Sequence, residues 1–198
     1  MTYDPKRHHR RSIRLPGYDY SQPGAYFVTI CTQDGEPLFG EVIDGIMRPN
    51  RFGRIVQVCW SNLPRHYSHV VLDEFVVMPT HTHKIIVLDG DPVQAVLATE
   101  STSTSDQPPA PTRHGLSEIV RAFKTFSSKR INTLRHTPGA PVWQRNYYEH
   151  IIRDDRALEE IREYIRENPL RWHLDRYNPA AIGPDLKAAE IWRMLNEL

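Results

Sequence analysis

His81 and His83 stand one residue apart in EFVVMPTHTHKIIVL, Glu74 to Leu88, between two apolar runs. Side chains two apart on a β-strand point to the same face, so a strand here projects both imidazoles together. Two imidazoles side by side are half of a metal site, or chance in a chain with 10 histidines. Imidazole suits Zn, Mn, Fe or Ni, while Mg prefers oxygen and accepts nitrogen in a mixed site. Two ligands do not close a site, so a third must come from elsewhere. The segment LEEIREYIRENP offers one, because Tyr164 and Asn168, four apart, share a face of a helix. The amide oxygen of Asn168 is then a candidate ligand and the phenol of Tyr164 a candidate nucleophile beside the ion. Phenol, with a pKa of about 10, is a weak nucleophile, and a cation that stabilises phenolate helps it. A plainer reading also stands: Tyr164 borders the apolar stripe of Ile161 and Ile165, and Asn168 before Pro169 ends a helix.

The elements that must position these residues follow from periodicity. AYFVTICTQ (Ala25–Gln33) alternates and is β-branched, which predicts a strand. LFGEVIDGIMRPN predicts a shorter hairpin. Phe52, Ile55, Val56, Cys59, Trp60 and Leu63 fall at helical spacing, with Pro64 at the end. VVLDEFVVMP and HKIIVL are two strands with a bend at PTH. GLSEIVRAFKTFSSKRINTL predicts an amphipathic helix with Ile119, Val120, Phe123, Phe126 and Ile131 inward. VWQRNYYEHIIR predicts a strand, and DDRALEEIREYIREN a helix whose acidic start suits the positive end of the helix dipole and which Pro169 stops. DLKAAEIWRMLNEL predicts a last, loosely packed helix. This order of strands and helices predicts an α+β fold of ferredoxin-like type, an antiparallel sheet with helices packed on its face. The catalytic domain is expected over residues 21–178, after a basic tail (1–20) and before a helical extension (179–198). Residues 90–112, rich in Ser, Thr and Pro, read as a mobile loop within it.

At 198 residues the chain is long enough to bury a core, and its 39% hydrophobic and 25% charged residues suit a soluble domain. No apolar run has the length of a membrane span, so no membrane partner is expected. The basic N-terminus lacks the apolar stretch and cleavage site of a secretory signal. Cys31 and Cys59 make neither a metal-ligand spacing nor a disulfide framework, which favours the cytoplasm. Net charge is only +1, but it is unevenly spread. Lys6, Arg7, Arg10, Arg11 and Arg14 crowd the start, and no acid lies between Glu118 and Glu149. Residues 154–167 carry 6 acids against 3 arginines. A positive side of this kind suits a phosphate backbone, or is an ordinary solvated surface.

Four motifs in chain order add a resemblance. MPTHTHKIIVL resembles the His-hydrophobic-His signature of the HUH endonucleases. GLSEIVRAFKTFSSKRIN, VWQRNYYEHIIRD and YIRENPLRW follow in the order of the REP-associated tyrosine transposases, relatives of the single-tyrosine transposases of bacterial insertion sequences. The resemblance runs from about Tyr26 to Trp172. It implies that His81 and His83 bind Mg or Mn, that Tyr164 is the nucleophile, and that Asn168 is the third ligand. It implies cleavage and rejoining of single-stranded or hairpin DNA at palindromic repeats through a 5′-phosphotyrosine, by a monomer or a homodimer. Arg7, Arg10, Arg11, Arg14, Lys124, Lys129, Arg130 and Arg145 become candidate DNA contacts, and Trp143, Tyr147 and Tyr148 candidate stacking residues. The chain departs from the signature at Thr82, where a bulky apolar residue is usual. On a strand Thr82 faces away from the metal, so the site is expected intact at a small loss of packing. Two rivals remain: a domesticated hairpin-binding protein without turnover, and a metal phosphodiesterase that uses water instead of tyrosine.

Overall fold

The computed structural model describes residues 15–90 and 114–197, and the side chains of these up to Arg193. Arg7, Arg10, Arg11, Arg14, most of the basic tail and residues 91–112 of the expected loop lie outside the described residues.

Four strands form one antiparallel sheet: β1 (Gly24–Cys31), β4 (Val70–Val77), β5 (His81–Leu88) and β6 (Tyr148–Ile152), in the order β4-β5-β1-β6. Helix α1 (Arg51–Ser61) lies between β1 and β4 in the chain, and α3 (Leu116–Leu134) between β5 and β6. Two such split crossovers define the ferredoxin-like arrangement. The hairpin of β2 (Gly40–Ile43) and β3 (Ile46–Pro49) stands apart as predicted, and a short helix α2 (Leu63–His66) begins around Pro64.

The alternation in β1 sorts the two faces. Tyr26, Val28 and Ile30 join Val56, Trp60, Ile119, Val120 and Phe123 in the larger core, under α1 and α3. Phe27 on the other face joins Ile85, Ile152 and the inward residues of α4 (Asp155–Glu167) and α5 (Leu186–Glu197). Helices thus cover both faces of the sheet. The histidines sit on β5, a central strand buried almost throughout, and Tyr164 sits on the following helix α4. Asp154 caps α4 by accepting from the Ala157 N–H at 2.8 Å, and Ala157, Ile161, Tyr164 and Ile165 make its buried stripe. The chain then tightens into a 3₁₀ segment, Asn168–Leu174.

Four sequence expectations shift. The β5 strand begins at His81, not at His83, so both imidazoles belong to the regular ladder. The strand expected over VWQRNYYEHIIR is reduced to Tyr148–Ile152. Residues 142–144 are held to the end of β1 by Gln33 N–H to Val142 O (2.8 Å) and Gln144 N–H to Cys31 O (2.9 Å), and Arg145 falls in the interruption that follows. Phe126 is 45% exposed and stacks on His66, while Ser127, four residues after Phe123, takes the inward place. The last helix packs firmly: Ala188 and Ile191 are buried against α4 and the sheet.

Candidate active site and metal centre

The period of β5 brings the rings of His81 and His83 to one face, with their Nε2 atoms 3.0 Å apart and both residues fully buried. The outer nitrogens are held by hydroxyls: His83 Nδ1 lies 2.8 Å from Thr29 Oγ1, and His81 Nδ1 lies 3.2 Å from Thr80 Oγ1. Thr80 gives its one hydroxyl hydrogen to the Tyr177 carbonyl at 2.9 Å. It can therefore only accept from His81, which puts the proton on Nδ1 and leaves the Nε2 lone pair free. The same tautomer at His83, with Nδ1–H donating to Thr29 Oγ1, would turn a second lone pair to the same point. Burial pushes His81 down to about 4, against the pull of Asp175 and Asn168, and pushes His83 well below the usual imidazole range. Both rings are neutral near pH 7, the form that binds metal.

Asp175 completes the cluster. Its Oδ2 lies 3.8 Å from His81 Nε2, and the three groups form the one His/Asp cluster of metal-binding geometry among the described residues. Asn168 adjoins it, donating to Asp175 Oδ2 at 3.1 Å, while its own buried Oδ1 has no hydrogen-bond partner. An octahedral divalent ion with ligands at about 2.1 Å keeps adjacent ligand atoms about 3.0 Å apart, which is the imidazole spacing found here. Two nitrogens with carboxylate and amide oxygens make a mixed donor set for a divalent ion. These residues fit a divalent metal.

Tyr164 reaches in from α4. Its hydroxyl is 3.3 Å from His83 Nε2, and the residue is 2% exposed. Burial raises its pKa, helped by Asp175, while the Arg171 guanidinium, 5.4 Å over the ring, works the other way. Arg171 itself donates to Glu167 at 2.9 Å. Asp73 and Glu74, at a bulge in β4, hold the helix from outside: Arg162 grips Asp73 at 2.6 and 2.9 Å, and Arg166 reaches Glu74 at 2.9 Å.

The candidate DNA contacts separate. Lys124, Lys129 and Arg145 line a groove of about 870 Å³ beside α3. The Lys124 ammonium is engaged there by the carbonyls of Gln144 (2.6 Å) and Arg145 (2.8 Å). Arg130 points elsewhere, toward Cys59. Trp143 is buried, its indole N–H donating to Ser127 Oγ at 2.9 Å, and Tyr147 packs against the same core. Tyr148 lies instead on the histidine face, against Phe27. Sequence reasoning missed Asp175 and the neighbouring Arg171. HLDRY has no period that marks a ligand, and the one available signal was its place just after the tyrosine helix.

An antiparallel ferredoxin-like sheet carries the histidine pair on a central strand, and a tyrosine reaches the pair from the helix packed on that face. No family model matches the chain. An uncharacterized protein of Haemophilus influenzae is 41% identical over 175 residues, 88% of this chain and 96% of its own length. Another protein of that organism, provisionally named a REP-associated tyrosine transposase, is 28% identical over 155 residues, 77% of this chain and 74% of its own. The solved structure of a REP-associated tyrosine transposase bound to a REP hairpin matches with a TM-score of 0.53 at 17% identity, over 80% of this chain and 74% of that one. The chain belongs to one family with the 41% identical protein, and it is similar in sequence and in fold to the REP-associated tyrosine transposases.

Proposed function

We propose that this chain is a metal-dependent endonuclease and strand transferase acting on single-stranded or hairpin DNA at palindromic repeats in the cytoplasm. The observation that carries the reading is the Tyr164 hydroxyl, 3.3 Å from His83 Nε2, which is itself 3.0 Å from His81 Nε2. A Mg or Mn ion held by His81 and His83, with Asp175 or Asn168 as oxygen ligand, would neutralise charge on the scissile phosphate. Tyr164 Oη attacks phosphorus, and the P–O3′ bond breaks as the Oη–P bond forms. The phenolic proton passes to solvent water, and the leaving 3′ oxygen takes one up from water to become a hydroxyl. A 5′-phosphotyrosine remains. Attack on it by a 3′-hydroxyl rejoins strands and restores the phenol, so no external energy source is needed. In this reading residues 21–178 are the catalytic unit. Lys129 and Arg145 in the groove beside α3, with the arginines of the N-terminal tail, follow the DNA backbone.

The test uses end-labelled hairpin DNA from repeats flanking the gene, with Mn or Mg, resolved on a denaturing gel. Wild type is expected to form a covalent adduct that Tyr164→Phe and His83→Ala both lose. Mn should also raise the melting temperature of wild type and leave His83→Ala unmoved, since a ligand stabilises only a fold that binds it. Tight hairpin binding with no adduct under either metal would make the chain a binding protein. Cleavage surviving in Tyr164→Phe would make water the nucleophile.

A further inference from the structure

A second cleft, of about 490 Å³, lies between α5 and the end of the 3₁₀ segment, and Tyr164 and Asp175 line it. Leu174, Pro184, Ala188 and Trp192 give it apolar walls. Its volume falls within the range of small-ligand pockets, about 300–1,000 Å³. Two of its groups have no part in the strand-transfer chemistry. The Trp192 indole is fixed by Tyr148 and Phe27, at ring-centre distances of 4.7 and 5.8 Å, yet its buried Nε1 has no hydrogen-bond partner. Arg176 is exposed, lies 5.7 Å over the Trp192 ring and makes no ion pair among the described residues. The acids nearby are engaged. Asp185 is 3.2 Å from Arg171 Nε and accepts from the Ala188 N–H at 3.0 Å, and Asp175 accepts from Tyr177 and Asn168.

We propose that this cleft receives one unpaired nucleotide of the DNA strand next to the scissile phosphate, its base against Trp192 and its phosphate on Arg176. The inference rests on reading Tyr164 as the nucleophile. An unpaired base offers ring nitrogens and carbonyls as acceptors for the in-plane Nε1–H, and an apolar body for the walls. A guanidinium offers the phosphate two parallel hydrogen bonds. Seated there, the nucleotide lies beside the tyrosine that must attack its neighbour.

The experiment titrates dAMP, dGMP, dCMP and dTMP into the full chain in EDTA and follows tryptophan fluorescence, with inorganic phosphate as a separate arm. At least one mononucleotide should quench saturably. The quench should vanish in Trp192→Phe, and the dissociation constant should rise about tenfold in Arg176→Gln, whose exposed site leaves folding untouched. The same nucleotide should inhibit adduct formation on the hairpin. Four results would overturn the proposal: no saturable quench by any mononucleotide, a quench that persists in Trp192→Phe, equal quenching by inorganic phosphate, or a higher adduct yield in Trp192→Phe, which would make α5 a cover. If the hairpin adduct forms while no mononucleotide binds, the cleft fails and the strand-transfer reading stands.

Discussion

Lys84 follows His83 on β5, but its side chain lies on the opposite sheet face, fully buried among Trp60, Phe75 and Phe123. Its amine sits 3.5 Å from the centre of the Phe123 ring and has no hydrogen-bond partner. Burial drives its pKa well below the usual lysine range. Below the unfolded value, about 10.4, the unfolded chain therefore holds more protons than the fold, and stability falls as pH drops toward the folded value. Lys84→Met keeps the length and removes the amine. It should raise stability at pH 7 by about 1–3 kcal/mol and flatten the rise between pH 7 and 9.5 in urea unfolding. His150 shows the same sign lower on the scale. Its buried Nε2 has no partner, and burial, with Arg153, pushes it down to about 4. Stability is fully present above the unfolded value, about 6.5, and is lost as pH falls toward 4. His150→Phe should recover about 1–2 kcal/mol of that loss in unfolding at pH 7 against pH 4.5, since solvent screens part of the charge on a half-buried ring. Thr82 lies on the same face as Lys84, paired with Ile30 and Val77, and its buried hydroxyl has no partner. Its departure from the usual apolar residue therefore bears on packing against α1 and α3, away from the imidazoles.

Helix α4 does two jobs, and its two faces divide them. The inward face carries Ile161, Tyr164 and Ile165, while Arg162 and Arg166 on the outer side clamp the helix to the bulge of β4. The bulge falls at the acidic pair Asp73–Glu74 and interrupts the ladder between Leu72 and Phe75. Part-exposed ion pairs contribute little to stability, so Arg162→Ala should cost about 1 kcal/mol or less in thermal unfolding. Its effect on adduct yield should be larger, several-fold, because the clamp sets where the phenol stands relative to His83. Asp73→Asn, which keeps the shape and removes the charge, should follow Arg162→Ala in both measurements. A fall in yield no greater than the loss of folded protein would reduce the clamp to a surface contact. Helix α5 is tied in turn to α4, with Lys187 reaching Glu163 and Glu167, each at 2.9 Å.

The whole molecule brings tyrosine and histidines together within one chain. Tyr164 meets His83 on the sheet face that α4 covers, and the α4 clamp closes on its own β4. A mixture of Tyr164→Phe and His83→Ala chains should therefore form no adduct on the hairpin. Adduct formation by the mixture would require two copies to exchange their tyrosine helices. The two clefts lie on opposite faces of the sheet. The groove of Lys129 and Arg145 belongs to the α3 side, and the histidine site and Trp192 cleft to the α4 and α5 side. No helix among the described residues is long and apolar enough to cross a membrane.

What the sequence alone determined is what repeats at short range. Alternation put His81 and His83 on one face of a strand, and helical spacing put Tyr164 in line with Ile161 and Asn168. Those periods come from backbone geometry, so they are legible without any partner. The order of strands and helices was enough for the ferredoxin-like sheet, because few topologies bury such a series. The tertiary structure alone decided which groups meet. His83 and Tyr164 are 81 residues apart, and Thr80 and Tyr177 are 97 apart. Asp175 comes from an aperiodic segment whose path depends on how the 3₁₀ run leaves α4. Trp192 reads in sequence as one more apolar residue of a final helix, and only the packing of that helix onto Phe27 and Tyr148 makes it a wall beside the tyrosine. Contacts of this kind are set by the packing of side chains distant in the chain, and no local pattern records them.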